Sequence, residues 1–121
     1  MPEKPLMQGH VKMDQITCVV QRGKADPIIK SAMKAGATSA TIYFARGTGI
    51  REKLGLLGIA ISPEKEIFFI TCCQEDTDQI FDAIVKAGNM ETPAQGIVYV
   101  NEIKRIAGIA IPRKALIKEP E

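Results

Sequence analysis

The sequence predicts an α+β domain in which four strands and two helices follow one another in the order β-α-β-β-α-β. Two observations predict this class. The pattern of strand, helix and strand occurs twice, and both helical segments end on the same tripeptide, Lys-Ala-Gly, at 34–36 and 86–88. In each half that glycine lies eight residues after the first isoleucine of the helix. A chain of 121 residues can hold one such domain with its own core, but not two.

The first half begins with a β-rich run, "ITCVV", from Ile16 to Val20. Asp26 and Pro27 are typical of a helix N-cap and of the first helical position. Gly36 is predicted to stop this helix, and "ATSATIYFAR" then forms the second strand. The helix is expected to bury side chains spaced i, i+1, i+4 and i+5, namely Ile28, Ile29, Ala32 and Met33.

The second half repeats the order. "PEKE" at 63–66 is predicted as a turn and a solvated strand edge, followed by the strand "EIFFITCC" from Glu66 to Cys73. The acidic segment "QEDTDQ" offers carboxylates and a threonine cap for a helix N-terminus. Gly88 ends this helix, and "GIVYV" from Gly96 to Val100 is the closing strand. The helix is expected to bury Ile80, Phe81, Ile84 and Val85.

Two such units give the ferredoxin-like arrangement, a four-stranded antiparallel sheet with both helices on one face. A sheet open to water on its other face should alternate polar and apolar residues, but these strands barely alternate. Another copy of the protein is the simplest cover for the second apolar face, so the sequence predicts an oligomer. In the third strand the two faces carry Ile67, Phe69 and Thr71 on one side and Phe68, Ile70 and Cys72 on the other.

Composition excludes several classes of function. The net charge of +2 is too small to indicate nucleic-acid binding. No window reaches the about 18 apolar residues of a spanning helix, and no signal-peptide pattern is present, so a cytoplasmic protein is expected. No nucleophile–base pair, carboxylate dyad or metal cluster is evident, which predicts that the chain is not an enzyme and has no metal site.

The cysteines and the histidine also give no indication of a metal or catalytic site. Cys18, Cys72 and Cys73 fit no zinc or CxxC spacing, and their apolar surroundings predict small buried hydrophobes, with a redox role as the alternative. His10, the one histidine, lies in a polar N-terminal segment, where a metal or catalytic role is not expected.

The segment "RGTGIREKLGLLGIAI", from Arg46 to Ile61, changes character along its length. Its glycine-rich, basic part could cradle an anion, because glycines let backbone N–H groups approach a phosphate, or it could be a solvated exit from a strand. Its aliphatic part has two interpretations, a mobile loop that buries into a partner or a static loop folded onto its own oligomer. The aliphatic side chains are Leu54, Leu56, Leu57 and Ile59.

Two further segments also leave alternatives open. "METPAQG" at 90–96 either closes over a ligand of a neighbouring copy or simply connects a helix to a strand. The C-terminal tail at 107–121 is apolar and then basic, and it is predicted as an extra strand or a wrap on the oligomer. The alternative is contact with a membrane surface through Arg113, Lys114 and Lys118.

At this point the chain resembles a known family. The segment "ITCVVQRGKADPIIKSAMKAGATSATIYFARGTG" is similar, without gaps, to the first half of nitrogen-regulatory P-II proteins, and "AIVKAGNMETPAQGIVYVNEIKRI" resembles their second helix, short loop and last strand. "RGTG", "LGLLGI" and "PEKEI" are similar to a divergent subgroup with a shortened loop. The resemblance divides the chain into a tail at 1–14, a domain at 15–106 with a mobile loop at 47–63, and a tail at 107–121.

The resemblance implies a compact homotrimer with the sheets turned inward. It implies a small-molecule effector in clefts between copies, for which ATP, ADP and AMP are the candidates, often together with a small carboxylate such as 2-oxoglutarate. It further implies that the loop between the second and third strands docks on a protein target, such as a membrane transporter, and that no nucleic acid is bound. The alternative is a structural or metal-tolerance trimer similar to CutA-type proteins.

Some of the family's site residues have an identical counterpart in this chain, and others are replaced. Thr41 matches a threonine that contacts the adenine, and Gly47, Gly49 and Gly96 match family glycines. Elsewhere Thr48 replaces a phenylalanine, Arg51 a glutamine, Thr92 a lysine and Gln95 an aspartate. The predicted effector site is therefore Thr41, Gly47, Thr48, Gly49, Arg51, Thr92, Gln95 and Gly96.

Overall fold

A computed structural model describes residues 8–47, 64–93 and 95–108 of the chain. The elements follow the predicted order. They are β1 (Gln8–Gln21), α1 (Ala25–Lys34), β2 (Thr41–Arg46), β3 (Glu64–Cys73), α2 (Gln74–Gly88) and β4 (Gly96–Ala107).

The four strands form one antiparallel sheet in the order β2-β3-β1-β4. β1 and β3 are therefore central, and β2 and β4 are the edges. Helix α1 packs against α2 and β3, while α2 packs on β1, β3 and β4. This is the ferredoxin-like fold, and the sequence prediction of the fold class is confirmed.

The core lies between the helices and one face of the sheet. Alternate residues of β3 point into it, as predicted, and Phe68 and Ile70 have no solvent exposure. Each helix buries residues spaced four apart, because these residues form the stripe of the helix that faces the sheet. These buried helical residues are Ile28, Ala32, Ile80 and Ile84. The prediction that Met33 is buried is wrong, since it is 37% exposed at the far margin of the seam.

Helix α1 begins at Ala25, one residue before the predicted cap, and Lys24 makes no side-chain capping bond. A carboxylate from another element replaces the cap: Glu66 Oε1 accepts hydrogen bonds from the backbone N–H groups of Gly23, at 2.6 Å, and Ala25, at 3.1 Å. Glu66 is buried, so the prediction of a solvated strand edge is wrong at this residue. The N–H groups of the β1–α1 turn and of the first residue of α1 supply the partners that make the burial of Glu66 tolerable.

Helix α2 begins directly after β3, and its predicted threonine cap is also wrong. Cys73 occupies the N-cap position without a side-chain capping bond. Thr77 instead donates a hydrogen bond across to β1, at Asp14 Oδ2, over 2.7 Å. At the other end the helix ends at Gly88 as predicted, but the left-handed residue that follows is Asn89, with φ of 54°.

The neighbouring strands β1 and β4 both run further than the sequence predicts. β1 starts at Gln8, inside the segment predicted as an N-terminal tail, and β4 continues to Ala107. The two ends pair with each other, Gln8 opposite Ala107, with a register shift between His10 and Met13. Backbone pairing holds this extension together with apolar contacts, because Ile103 and Ile106 pack against the buried side chains of Met13 and Cys73.

Within the described part of the chain, neither helix combines the length and the apolar composition that crossing a bilayer requires.

Candidate functional site

One end of the sheet gathers most of the described residues of the predicted effector site. A single row of paired residues crosses this end, and it consists of Phe44 on β2, Glu66 on β3, Val20 on β1 and Gly96 on β4. Gly47 follows β2 and Gln95 precedes β4, so both lie just beyond that row.

Gly47 and the pair Gln95 and Gly96 nevertheless lie at opposite edges of the sheet, because β2 and β4 are its two edge strands. Three strand spacings of about 4.8 Å separate β2 from β4, which places Gly47 roughly 14 Å or more from Gly96. One chain therefore does not bring the glycine after β2 and the loop before β4 into one pocket. Thr41 starts β2 opposite Phe69, six residues before Gly47 and so about 20 Å from it along the strand.

The loop before β4 is held by its own backbone. The N–H of Thr92 donates to Asn89 O at 2.9 Å, and the N–H of Gln95 donates to Thr92 O at 3.4 Å. The side chains of Thr92 and Gln95 are exposed and available to a ligand or to another copy. A pocket of about 360 Å³ adjoins the loop and is lined by Asp82, Val85, Lys86, Asn89 and Glu91.

The two described glycines of the site differ in what their backbone requires. Gly96 has φ of 141°, and a Cβ there would lie 2.5 Å from Val19 O, so the fold itself requires glycine. A Cβ on Gly47 would make only ordinary contact with Lys65, 3.8 Å from its Cγ. The described contacts therefore do not require glycine at position 47.

The remaining predicted positions lie outside the described residues. They are Thr48, Gly49 and Arg51 of the effector site, and Leu54, Leu56, Leu57 and Ile59 of the docking loop.

A basic and aromatic cluster that local sequence patterns do not reveal lies at the same end of the sheet. Arg22, in the β1–α1 turn, forms an ion pair with Glu64, the first residue of β3. A pocket of about 340 Å³ lies beside the pair, lined by Arg22, Phe44, Ala45, Arg46 and Glu64. The phenylalanine looks like an ordinary strand residue in sequence, and only the sheet order reveals that it lies on an edge.

No described helix covers the second face of the sheet. Two adjacent rows of side chains in the middle of this face are mainly apolar, and the rows on either side of them carry polar residues such as Lys65 and Gln15. Ile97 is 57% exposed, and Tyr43 and Tyr99 are also exposed. The two middle rows are Tyr43, Ile67, Val19 and Ile97, and Thr41, Phe69, Thr17 and Tyr99. We call these eight residues the open face.

The three cysteines are buried, as predicted. Burial raises the pKa of the Cys18 thiol to about 12. Burial also raises the pKa of Cys72, although a hydrogen bond with Thr77 acts in the opposite direction and the carboxylates of Asp14 and Asp76 add to the increase. Both thiols therefore remain protonated and poorly nucleophilic near neutral pH. In the described part of the chain, no three His, Cys, Asp or Glu side chains are placed to hold a metal ion.

The sheet order and the two helices on one face define a ferredoxin-like domain whose second face is covered by no described helix. Comparison with protein families identifies the group within that fold. The model of the nitrogen regulatory protein P-II matches residues 13–111, so the chain belongs to the P-II family. The chain thus has the fold of a family of signal-transduction regulators rather than enzymes.

Solved structures agree on the fold. The PII protein of Arabidopsis thaliana, solved with citrate bound, has a TM-score of 0.59 at 14% identity, with 77% of this chain and 78% of that chain covered. GlnK of B. subtilis in complex with ATP has a TM-score of 0.59 at 21% identity, over 75% and 81% of the two chains. A second B. subtilis GlnK structure has a TM-score of 0.57 at 18% identity, over 75% and 84%. Comparison with curated protein sequences found no match.

Proposed function

We propose that this chain is a P-II-type regulator that works as a homotrimer and binds a small anionic effector in clefts between its copies. An adenine nucleotide, ATP, ADP or AMP, is the proposed effector. The occupied cleft controls a protein target through the segment 47–63, which connects β2 and β3. A membrane transporter is the proposed class of target, and the regulator acts in the cytoplasm.

One observation carries the proposal. The two described parts of the predicted site lie on opposite edges of a sheet whose open face is apolar. Copies that cover this face for one another would bring the β2 edge of one copy towards the β4 edge of the next. Gly47 and Gln95 would then border one cleft, although they are far apart within a chain.

The solved relatives support the class of effector. One B. subtilis GlnK structure is a complex with ATP, and the Arabidopsis PII protein is bound to citrate. Both ligands are small anions, and the described end of the sheet carries Arg22, Arg46 and Lys65 beside Gly47. Basic side chains together with a backbone that allows close approach are suited to phosphate or carboxylate groups.

Isothermal titration calorimetry with ATP, ADP and AMP tests the proposal. Gly47→Ala and Gln95→Ala alter one edge each without a steric conflict in the described structure. Each should weaken nucleotide binding about tenfold or more, because a tight backbone approach or a side-chain hydrogen bond is lost. Gly108→Ala is the matched control, because a Cβ there meets nothing within 4 Å.

Mixing the two variants separates a cleft between copies from a site within one chain. After unfolding and joint refolding, some clefts would combine the intact β2 edge of one copy with the intact β4 edge of another. Part of the nucleotide binding should then return. The proposal fails if a folded trimer gives no heat with any of the three nucleotides, or if mixed refolding restores nothing.

A further inference from the structure

We propose that Glu64 is a built-in competitor of the effector: its carboxylate occupies the guanidinium of Arg22, and the anionic group of the effector displaces it. Glu64 thereby determines how strongly the cleft binds and which class of anion it prefers. The inference rests on the proposed function, because it concerns the same cleft between copies, and it adds a residue that sets affinity and selectivity there.

Three charged residues from different parts of the chain meet at the start of β3. Arg46 is the last residue of β2 and lies opposite Glu64, the first residue of β3. Arg22 reaches the same glutamate from the β1–α1 turn, because its guanidinium pairs with the carboxylate and its backbone N–H donates to Glu64 O at 3.3 Å. All three residues line the pocket of about 340 Å³, and Gly47 of the predicted effector site follows Arg46 directly. The ion pair therefore lies beside the β2 part of that site.

The contact that Arg22 makes with Glu64 defines the kind of group that can replace the glutamate. A guanidinium presents parallel N–H donors that match the oxygens of a carboxylate or of a phosphate. With Arg46 in the same pocket, two guanidinium groups stand against one carboxylate, so the pocket attracts an anion while Glu64 is still paired. The anion can then take the place of the glutamate on Arg22.

Two carboxylates of β3 contact the β1–α1 turn, and only one of them is placed to leave. Glu66 is buried, and its Oε1 accepts the backbone N–H groups of Gly23, at 2.6 Å, and Ala25, at 3.1 Å. In the pair of Arg22 and Glu64, by contrast, the side chains are 66% and 47% exposed, and such pairs contribute little to stability. Glu66 thus holds the turn in place while Glu64 is exchanged, and the guanidinium stays positioned for the anion.

The competition favours a phosphate group over a single carboxylate. A ligand with one carboxylate replaces Glu64 by a group of the same charge and shape, so it gains little. A phosphate group carries more negative charge and a third acceptor oxygen, which Arg46 can bind. Acetate at an equal concentration should therefore leave pyrophosphate bound to the chain, and displacement of pyrophosphate by acetate would overturn this preference.

Isothermal titration calorimetry of the full chain with ATP and with pyrophosphate tests the inference. Glu64→Gln should raise the affinity for both ligands about threefold or more, whereas Arg22→Gln should lower it about tenfold. The decisive comparison is Glu64→Gln in the Arg22→Gln background, where the affinity should change less than about twofold, because the competitor has lost the group for which it competes. An equal gain in both backgrounds would show that Glu64 acts only by repelling anions, and would overturn the inference.

Two control variants remove similar charges without changing the ion pair. Lys24→Gln removes another exposed positive charge from the β1–α1 turn, and Glu102→Gln removes an exposed carboxylate from β4, opposite Asp14 and away from the pocket. Each should change the affinity less than about twofold, because exposed charges that do not contact the ligand are screened. Circular dichroism and sedimentation should show the wild-type fold and association state in every variant. An Arg22→Gln chain that no longer associates would assign Arg22 to contact between copies and overturn the inference.

The remaining outcomes separate this inference from the proposed function. Nucleotide binding that Arg22→Gln and Glu64→Gln leave unchanged would overturn the inference and retain the proposed effector. Pyrophosphate binding that follows the expected pattern, in a chain that gives no heat with ATP, would support the inference and remove the adenine nucleotide. No heat with either ligand, from the wild type or from Glu64→Gln, would overturn both.

Discussion

Glu66 connects two elements through one buried carboxylate. Its Oε1 atom accepts two backbone N–H groups at the start of α1, where no side chain of the helix itself provides a cap. The helix dipole favours negative charge at this position, and hydrogen bonds to a charged acceptor are stronger than neutral ones. The start of α1 thus depends on a residue more than forty positions away in the chain.

We expect Glu66→Gln to lower the free energy of unfolding by about 1–2 kcal/mol, because it retains the shape of the side chain but removes its charge. Glu64→Gln is the control on the same strand. Its ion pair with Arg22 is exposed to solvent, so its loss should cost less than about 1 kcal/mol. Urea unfolding followed by circular dichroism measures both. Equal effects of the two substitutions would contradict the capping role.

Cys18 should make stability fall at high pH. Burial raises the pKa of its thiol in the folded state from 9.0 to about 12, so the native chain keeps a proton that the unfolded chain releases. The resulting stabilisation is complete below pH 9.0 and is lost as pH rises towards about 12, by about 1.4 kcal/mol per pH unit for one group.

The measurement is the difference between wild type and Cys18→Ala in how the free energy of unfolding varies with pH. Every other titratable group is common to both proteins and cancels in that difference. The variant should be less stable near neutral pH, because it loses packing in the core, but its decline with pH should be shallower. Ile16→Val, a neighbouring core change without a titratable group, should decline as the wild type does. A parallel decline in all three proteins would refute the assignment.

At the scale of elements, the junction between β3 and α2 is fixed by a small polar network. Thr77 donates to Asp14 Oδ2 at 2.7 Å, and Gln74 Nε2 donates to Asp14 Oδ1 at 3.2 Å. Thr77 is buried and also lies within hydrogen-bond distance of Cys73 O and Cys72 Sγ. The network joins the first turn of α2 to the central strand β1.

Thr77→Val should lower the free energy of unfolding by roughly 1–3 kcal/mol, because the Asp14 carboxylate loses its shorter hydrogen bond while it remains partly buried. Thr77→Ser keeps the hydroxyl and serves as the control, with an expected loss of less than about 1 kcal/mol. Hydrogen exchange should show the loss concentrated in the first turn of α2. A valine variant as stable as the serine variant would show that the hydroxyl contributes little.

The elements also show what the sequence can and cannot predict. Apolar spacing was sufficient for the element order and for the buried seams around Ile28 and Ile80, because period and burial are local properties. The burial of Glu66 was not predictable, since a glutamate at the start of a strand is normally solvated and its partners come from a distant turn. The exposure of Phe44 depends on β2 being an edge strand, which only the pairing of strands decides.

The candidate site shows the same limit. Sequence resemblance predicts one effector site that contains Gly47, Gln95 and Gly96, and these residues do lie at one end of the sheet. Their distribution between two edges follows from the strand order, which local patterns do not encode. The strand order also means that an effector site built from both edges needs more than one copy of the chain.

At the scale of the whole molecule, the open face is the broad apolar surface of the sheet that no described helix covers. Its eight residues carry no charge, and Lys65 lies in the adjoining row of the same face. We assign the open face to contact between copies. A single substitution on it tests this role.

Ile97→Glu should dissociate the proposed trimer. Ile97 lies opposite Val19 on the open face, so contact between copies would bury the new carboxylate among apolar side chains without a partner. Met33→Ser is the matched control, because it removes an exposed apolar side chain from α1, away from the open face. Sedimentation equilibrium should give three chains of 13.2 kDa for the wild type and for Met33→Ser, and single chains for Ile97→Glu. A wild type that sediments as a folded single chain, or an Ile97→Glu protein that remains a trimer, would remove the open face as the contact and the effector clefts with it.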